Sequence, residues 1–98
     1  MKKTSQTLFK DTVIKGIYHE FVFENNTYFM NIDVYGTIIK KALGTDKKSA
    51  SQSFHFFNLI FCGYYDTHGF DAYLDAVDNY LEANVTRRLS QEEIKHYQ

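Results

Sequence analysis

Residues 17–34 read IYHEFVFENNTYFMNIDV, two runs rich in β-branched and aromatic residues on either side of Asn25-Asn26. Asparagine is one of the few residues with a side chain that accepts positive φ, which both central positions of a two-residue type I′ turn require. Taking Asn25-Asn26 as the loop sets the register. Phe23 falls opposite Tyr28, Phe21 opposite Met30, His19 opposite Ile32 and Ile17 opposite Val34. Side chains alternate with period 2, so these eight share one face, and His19 is its only polar member. The other face pairs Tyr18 with Asp33, Glu20 with Asn31, Val22 with Phe29 and Glu24 with Thr27. A slip of one residue would turn the apolar set toward water, so the pattern specifies its own register.

A hairpin alone is marginal in water. Upstream, Thr7-Leu8-Phe9 reads as a short strand that turns at Lys10-Asp11 into Thr12-Val13-Ile14, giving a three-stranded meander with a bend at Gly16. Downstream, TIIKKALG reads as a short helix, with Thr37 as its cap and Gly44 at C′, although β-branched Ile38-Ile39 would equally suit a continued strand. TDKKSASQS follows as a polar, linker-like stretch whose later part also suits the start of the next helix. Ser53–Tyr65 is apolar nearly all round; its aromatic content suits a strand, while its length and Ser-rich entry decide for a helix. YDTHG, residues 65–69, reads as a loop. Phe70, Tyr73, Leu74, Val77, Tyr80 and Leu81 then form a continuous helical stripe, predicting a helix over 70–83. Ser90 with Glu93 makes a capping box, and Leu89 with Ile94 a hydrophobic staple, which starts a last short helix. The expected fold is α+β in a single domain, residues 1–98. It consists of an N-terminal hairpin or three-stranded meander, with two to four helices on the Phe21/Phe23/Met30/Ile32 face.

No apolar run approaches the roughly 18 residues that a membrane span needs. The start, MKKTSQTLFKDT, lacks the apolar region of a signal peptide, so Met1 is the expected natural start and the cytoplasm the expected location. Nine Lys against two Arg, with no Pro or Trp and only five Ala, favour AT-rich codons and point to an AT-rich bacterium or to a phage or plasmid of one. The net charge of −1 divides unevenly, +3 over residues 1–48 and −4 over residues 49–98. That asymmetry can orient a domain against a charged partner.

Catalytic patterns are weak. Cys62 sits in FNLIFCGYY, an apolar setting that raises a thiol pKa and makes it inert. His55, Cys62, Asp66 and His68 match no common zinc spacing, and Asp66, His68 and Asp71 do not complete a calcium loop. The five Gly are isolated, so no phosphate-binding loop is present. His19 reads as a hydrogen-bonded residue at the edge of the core. The chain is therefore expected to be no enzyme and to need neither cofactor nor metal.

Two binding readings remain. Lysines, with Lys40, Lys41, Lys47 and Lys48 in the lead, could contact phosphates, although the acidic pI and scarce Arg argue against it. Nine Phe and eight Tyr are more than so small a core hides, and surplus aromatic surface marks protein interfaces. Tyr18, Val22 and Phe29 on the outer hairpin face are the expected contacts. Asp71, Asp75, Asp78 and Glu82 offer a stripe for a basic partner, a pattern that the solvated side of a helix also produces. The sequence thus predicts a small protein-binding module, of the kind a phage or mobile element uses as an accessory or inhibitor, with a protein partner or a second copy bound. A nucleic-acid-binding regulator is the alternative.

Overall fold

A computed structural model describes residues 5–81 of the chain. Four strands form an antiparallel meander in the order β1-β2-β3-β4: β1(Ser5–Ile14), β2(Ile17–Glu24), β3(Thr27–Val34) and β4(Thr37–Gly44). One long helix, α1(Lys47–Leu81), covers one face of the sheet. The class is α+β, with four strands where the sequence suggested two or three.

The β2–β3 register is the one that the Asn-Asn turn dictates, from Glu24 opposite Thr27 to Ile17 opposite Val34. Both asparagines have positive φ, 52° and 61°. The face carrying Ile17, His19, Phe21, Met30, Ile32 and Val34 is buried beneath α1.

Three elements differ from expectation. Lys10-Asp11 is no turn: β1 is continuous, with Lys10 opposite Glu20 and Asp11 opposite His19, and bulges at Leu8 and Val13 absorb the irregular pattern. TIIKKALG is a strand rather than a helix. Tyr35 and Gly36 both take positive φ (50° and 94°), so the chain folds straight back and Thr37 pairs with Val34. Adjacent Ile38 and Ile39 then point to opposite faces, Ile39 buried against Ile32 and Ile38 exposed. Residues 65–68 are helical rather than a loop. The Thr67 hydroxyl donates to the Gly63 carbonyl at 2.7 Å, the i−4 bond that a Thr hydroxyl makes inside a helix.

Within the linker-like stretch TDKKSASQS, α1 begins at Lys47. The Asp46 carboxylate accepts from the Ser49 N–H at 2.8 Å, and the Ala50 N–H donates to the Asp46 carbonyl at 2.9 Å. The same bond to Ser49 holds the Asp46 carboxyl below its ordinary pKa. Asp46→Ala should lower Tm by about 4–8 °C, read by thermal melts at neutral pH.

Gly69 (φ 86°, ψ −174°) interrupts α1, dividing it into a first limb over residues 47–68 and a second over residues 70–81. The limbs lie against each other, with the Tyr80 ring 6.3 Å from Phe61 and 6.2 Å from Tyr64 between centroids. In place of two to four helices, the described residues hold this one interrupted helix. The stripe expected over 70–83 is seen to Leu81, with Tyr73, Leu74, Val77 and Leu81 buried. The capping box at Ser90 lies outside the described residues.

Candidate interaction surface and the buried network behind it

The polar centre of the molecule is His19. Strand alternation turns it inward at β2, opposite Ile32, and leaves it 0% exposed. Asn58, on the first limb of α1, stands over it with its Oδ1 2.7 Å from His19 Nδ1. Tyr73, on the second limb, brings its hydroxyl to 2.8 Å from Nε2. The Asn58 Nδ2–H donates to the Asp11 carboxylate at 3.0 Å, and that bond settles the proton positions. A carboxylate only accepts, so the amide must present its oxygen to the imidazole; Nδ1 therefore carries the proton and Nε2 accepts from the Tyr73 hydroxyl. One chain of hydrogen bonds then runs from Tyr73 through His19 and Asn58 to Asp11. It ties β1, β2 and both limbs of α1 together.

Burial pushes the His19 imidazole below its ordinary pKa, against the opposing pull of the Asn58 bond and the Asp11 charge. The Tyr73 phenol is pushed well up, mainly by burial. Cys62, half-buried one turn beyond Asn58, donates weakly to Asn58 Oδ1 at 3.7 Å, and burial, then the charges of Asp11 and Asp66, raise its thiol. Such a thiol is mostly protonated at neutral pH, a poor nucleophile. The imidazole and the Tyr73 hydroxyl lie fully inside, whereas Asn58 and Asp11 are only half-buried. This arrangement holds elements in place.

The surface residues singled out from the sequence fall in different places. Tyr18, Val22 and Phe29 do lie on the sheet face opposite α1. Val22 is only 2% exposed. The Lys10 ammonium sits 4.5 Å from the centre of the Tyr18 ring and the Lys40 ammonium 4.4 Å from that of Phe29, so both aromatic faces carry a cation. Lys40 also pairs with Glu24 at 3.0 Å. Lys41 is half-buried on the helix side of β4, opposite Met30, while Lys47 and Lys48 are exposed in the first turn of α1. The four lysines are thus spread over two sheet faces and a helix start. Asp71 and Asp75 are exposed on the second limb, Asp78 is half-buried, and Glu82 lies outside the described residues.

Among the described residues, the two most exposed large apolar side chains are instead on the first limb of α1. Its inner side carries Ala50, Phe54 and Phe61, all at 0% exposure against the sheet. With 3.6 residues per turn, Phe56, Leu59 and Gly63 point the opposite way. Phe56 is 59% exposed and Leu59 75%. From Ser49 to Tyr65 there is no Asp, Glu, Lys or Arg. A shallow groove of about 400 Å³ runs between the rows Leu59–Gly63–Thr67 and Ile60–Tyr64–His68. A Cβ added at Gly63 would meet no atom within 4 Å.

Sequence reading found His19 but not its partners. Asn58, a lone amide inside FFNLIF, was the available signal. The outward set Phe56, Leu59 and Gly63 was likewise implied by a segment apolar over more than half its circumference, since a helix on a sheet hides only one side.

The chain matches no protein-family model, no curated protein and no solved structure.

Proposed function

We propose that this chain is a small protein-binding module whose contact surface is the side of α1 turned away from the sheet. The observation that carries the reading is the uncharged run over residues 49–65, which holds Phe56 and Leu59 in solvent beside the groove at Gly63. Contiguous apolar surface of this kind on a small domain marks a site for protein contact, and aromatic residues dominate the energetics of such sites. The lysine-based alternative finds less support, because Lys40 is engaged by Glu24 and Phe29, and Lys41, Lys47 and Lys48 lie on the other sheet face and at the start of α1.

The test is photo-crosslinking from single positions in cells. A benzophenone side chain at Phe56 should crosslink to protein, and one at Thr12, on the far sheet face, should not. Crosslinks from Phe56 to nucleic acid, or equal protein yields from the two positions, would overturn the reading.

A further inference from the structure

We propose that protonation of His19 releases the second limb of α1, residues 70–81, from the sheet by rotation at Gly69, while the first limb stays in place. The direction from which the buried ring takes a second proton decides this. In the neutral ring Nδ1 carries the proton and Asn58 Oδ1 accepts it, with the amide held from behind by Asp11. The nitrogen still able to take a proton is Nε2, which faces the Tyr73 hydroxyl on the second limb.

Protonation therefore acts on the two limbs unequally. Toward the first limb nothing reverses: Nδ1–H still donates to Asn58 Oδ1, and a cationic donor strengthens that bond. Toward the second limb two donors meet at 2.8 Å, because Nε2–H now points at a hydroxyl that had been donating to it. The hydroxyl can rotate and accept, but its own proton then loses its acceptor. Tyr73 is 0% exposed, with the rings of Phe61, Tyr65 and Phe70 against it. Among the described residues its hydroxyl has no second hydrogen-bond partner. A buried donor without an acceptor, beside a buried charge, is relieved when the limb moves away and water reaches both groups.

The backbone supplies the joint. Gly69 is the residue of α1 with non-helical angles, φ 86° and ψ −174°, and nothing lies within 4 Å of a Cβ built there. Beyond it the second limb buries Leu74, Val77 and Leu81, whose apolar contacts are non-directional. The first limb keeps Ala50, Phe54 and Phe61 at 0% exposure and keeps both bonds of Asn58.

The groups facing the imidazole come from each packed element. They are Asp11 on β1, Cys62 on the first limb and Tyr73 on the second, while β3 places Ile32 opposite the ring. Farther out are Tyr65 against Tyr73, Asp66 beyond Cys62 and Lys41 on the helix side of β4. Burial raises Cys62, Tyr65 and Tyr73, away from neutral pH, and lowers His19. A ring freed by release takes its proton near pH 6.5 and the enclosed ring at lower pH. Release therefore grows as pH falls between the two values, by up to about tenfold per pH unit.

Native-state hydrogen exchange of the full chain, at pH 7.5 and 5.5 with urea kept below the unfolding transition, tests this. Amides of residues 74–81 should exchange through a partial opening that depends weakly on urea. Its population should rise about five- to tenfold between the two pH values. Amides of residues 54–61 and of β2 and β3 should show the steep urea dependence of global unfolding at both. His19→Gln, which takes no proton in this range, should show the same partial opening at both pH values. Gly69→Ala should raise the opening roughly five- to thirtyfold at pH 7.5, because alanine is strained at φ 86° and loses that strain once the limb turns to helical angles.

Residues 74–81 exchanging only with global unfolding at pH 5.5, or a first limb that opens together with the second, would overturn the proposal. So would a pH response that persists in His19→Gln, or a partial opening indifferent to Gly69→Ala. If His19→Gln does not fold, the wild-type pH comparison and the Gly69→Ala result decide.

Discussion

Replacing His19 with alanine should destabilise the fold by about 3–5 kcal/mol, measured by urea melts at pH 7.5. The change opens a cavity under α1, takes the acceptor from the Tyr73 hydroxyl and leaves Asn58 Oδ1 with only the weak Cys62 thiol. Each group stripped of its partner costs about 1–3 kcal/mol, and the cavity adds to that. His19→Gln keeps an amide N–H for Asn58 and an oxygen for Tyr73, so it should lose much less. A loss from alanine under 1 kcal/mol would show that the network does not hold the limbs of α1 to the sheet.

The same histidine should make stability depend on pH. The unfolded chain takes a proton on His19 near pH 6.5, whereas the folded chain, with the ring buried against Asn58, Tyr73 and Phe61, resists protonation to lower pH. The unfolded state therefore binds more protons in that interval. The stabilisation is complete above about pH 6.5 and is lost as pH falls through the folded value, with a slope of at most about 1.4 kcal/mol per pH unit. Asp11, Cys62 and Tyr73 are the other titratable groups facing the network, and both the thiol and the phenol are raised by burial, away from this interval. His19→Gln should flatten the slope between about pH 7 and pH 5. A slope unchanged in that variant would assign the acid sensitivity to another group.

How far the fold was legible depends on how local its determinants are. The β2–β3 register follows from two adjacent asparagines and an alternation with one polar exception, all within eighteen residues. The turn into β4 is equally local but rests on Tyr35 with positive φ, a conformation that a ring-bearing residue adopts only where its surroundings hold it. Without that turn, Ile38-Ile39 with Ala42-Leu43 satisfies helical spacing as well as a strand does. In residues 65–69 the turn-forming Asp and Thr suggested a loop, whereas the helix there packs Tyr65 on Tyr73, a contact that the local composition does not reveal. The buried network was least legible. Its partners lie 39 and 54 residues from His19 in sequence, a separation that no periodicity encodes. The proposed contact surface was half legible. An apolar excess over residues 53–65 was evident, but which side faces solvent depends on where the sheet lies.

Gly16→Ala should cost about 3–4 kcal/mol, although it adds a single methyl group in a turn. Gly16 has φ +99°, where an L-residue is strained by about 1–2 kcal/mol. Its missing side chain is also occupied space: a Cβ there would lie well under 3.0 Å from Tyr35 Cδ1 and Cε1. The ring has little freedom to yield. Tyr35 is itself at positive φ, its N–H donates to the Gly16 carbonyl at 2.8 Å, and its ring packs against Phe70 at the start of the second limb, centroids 6.3 Å apart. Overpacking of this kind costs about 1–3 kcal/mol beyond the backbone strain. Gly36 supplies the internal control, because its φ is +94° but nothing lies within 4 Å of its would-be Cβ. Gly36→Ala should therefore show the backbone part alone, about 1–2 kcal/mol. Combining Gly16→Ala with Tyr35→Ala removes the clash, so the double variant should be more stable than the sum of the single losses by 1 kcal/mol or more, roughly the coupling seen between residues in contact. Strictly additive losses, or equal costs at Gly16 and Gly36, would show that the contact between the two turns does not fix how the sheet meets the second limb of α1.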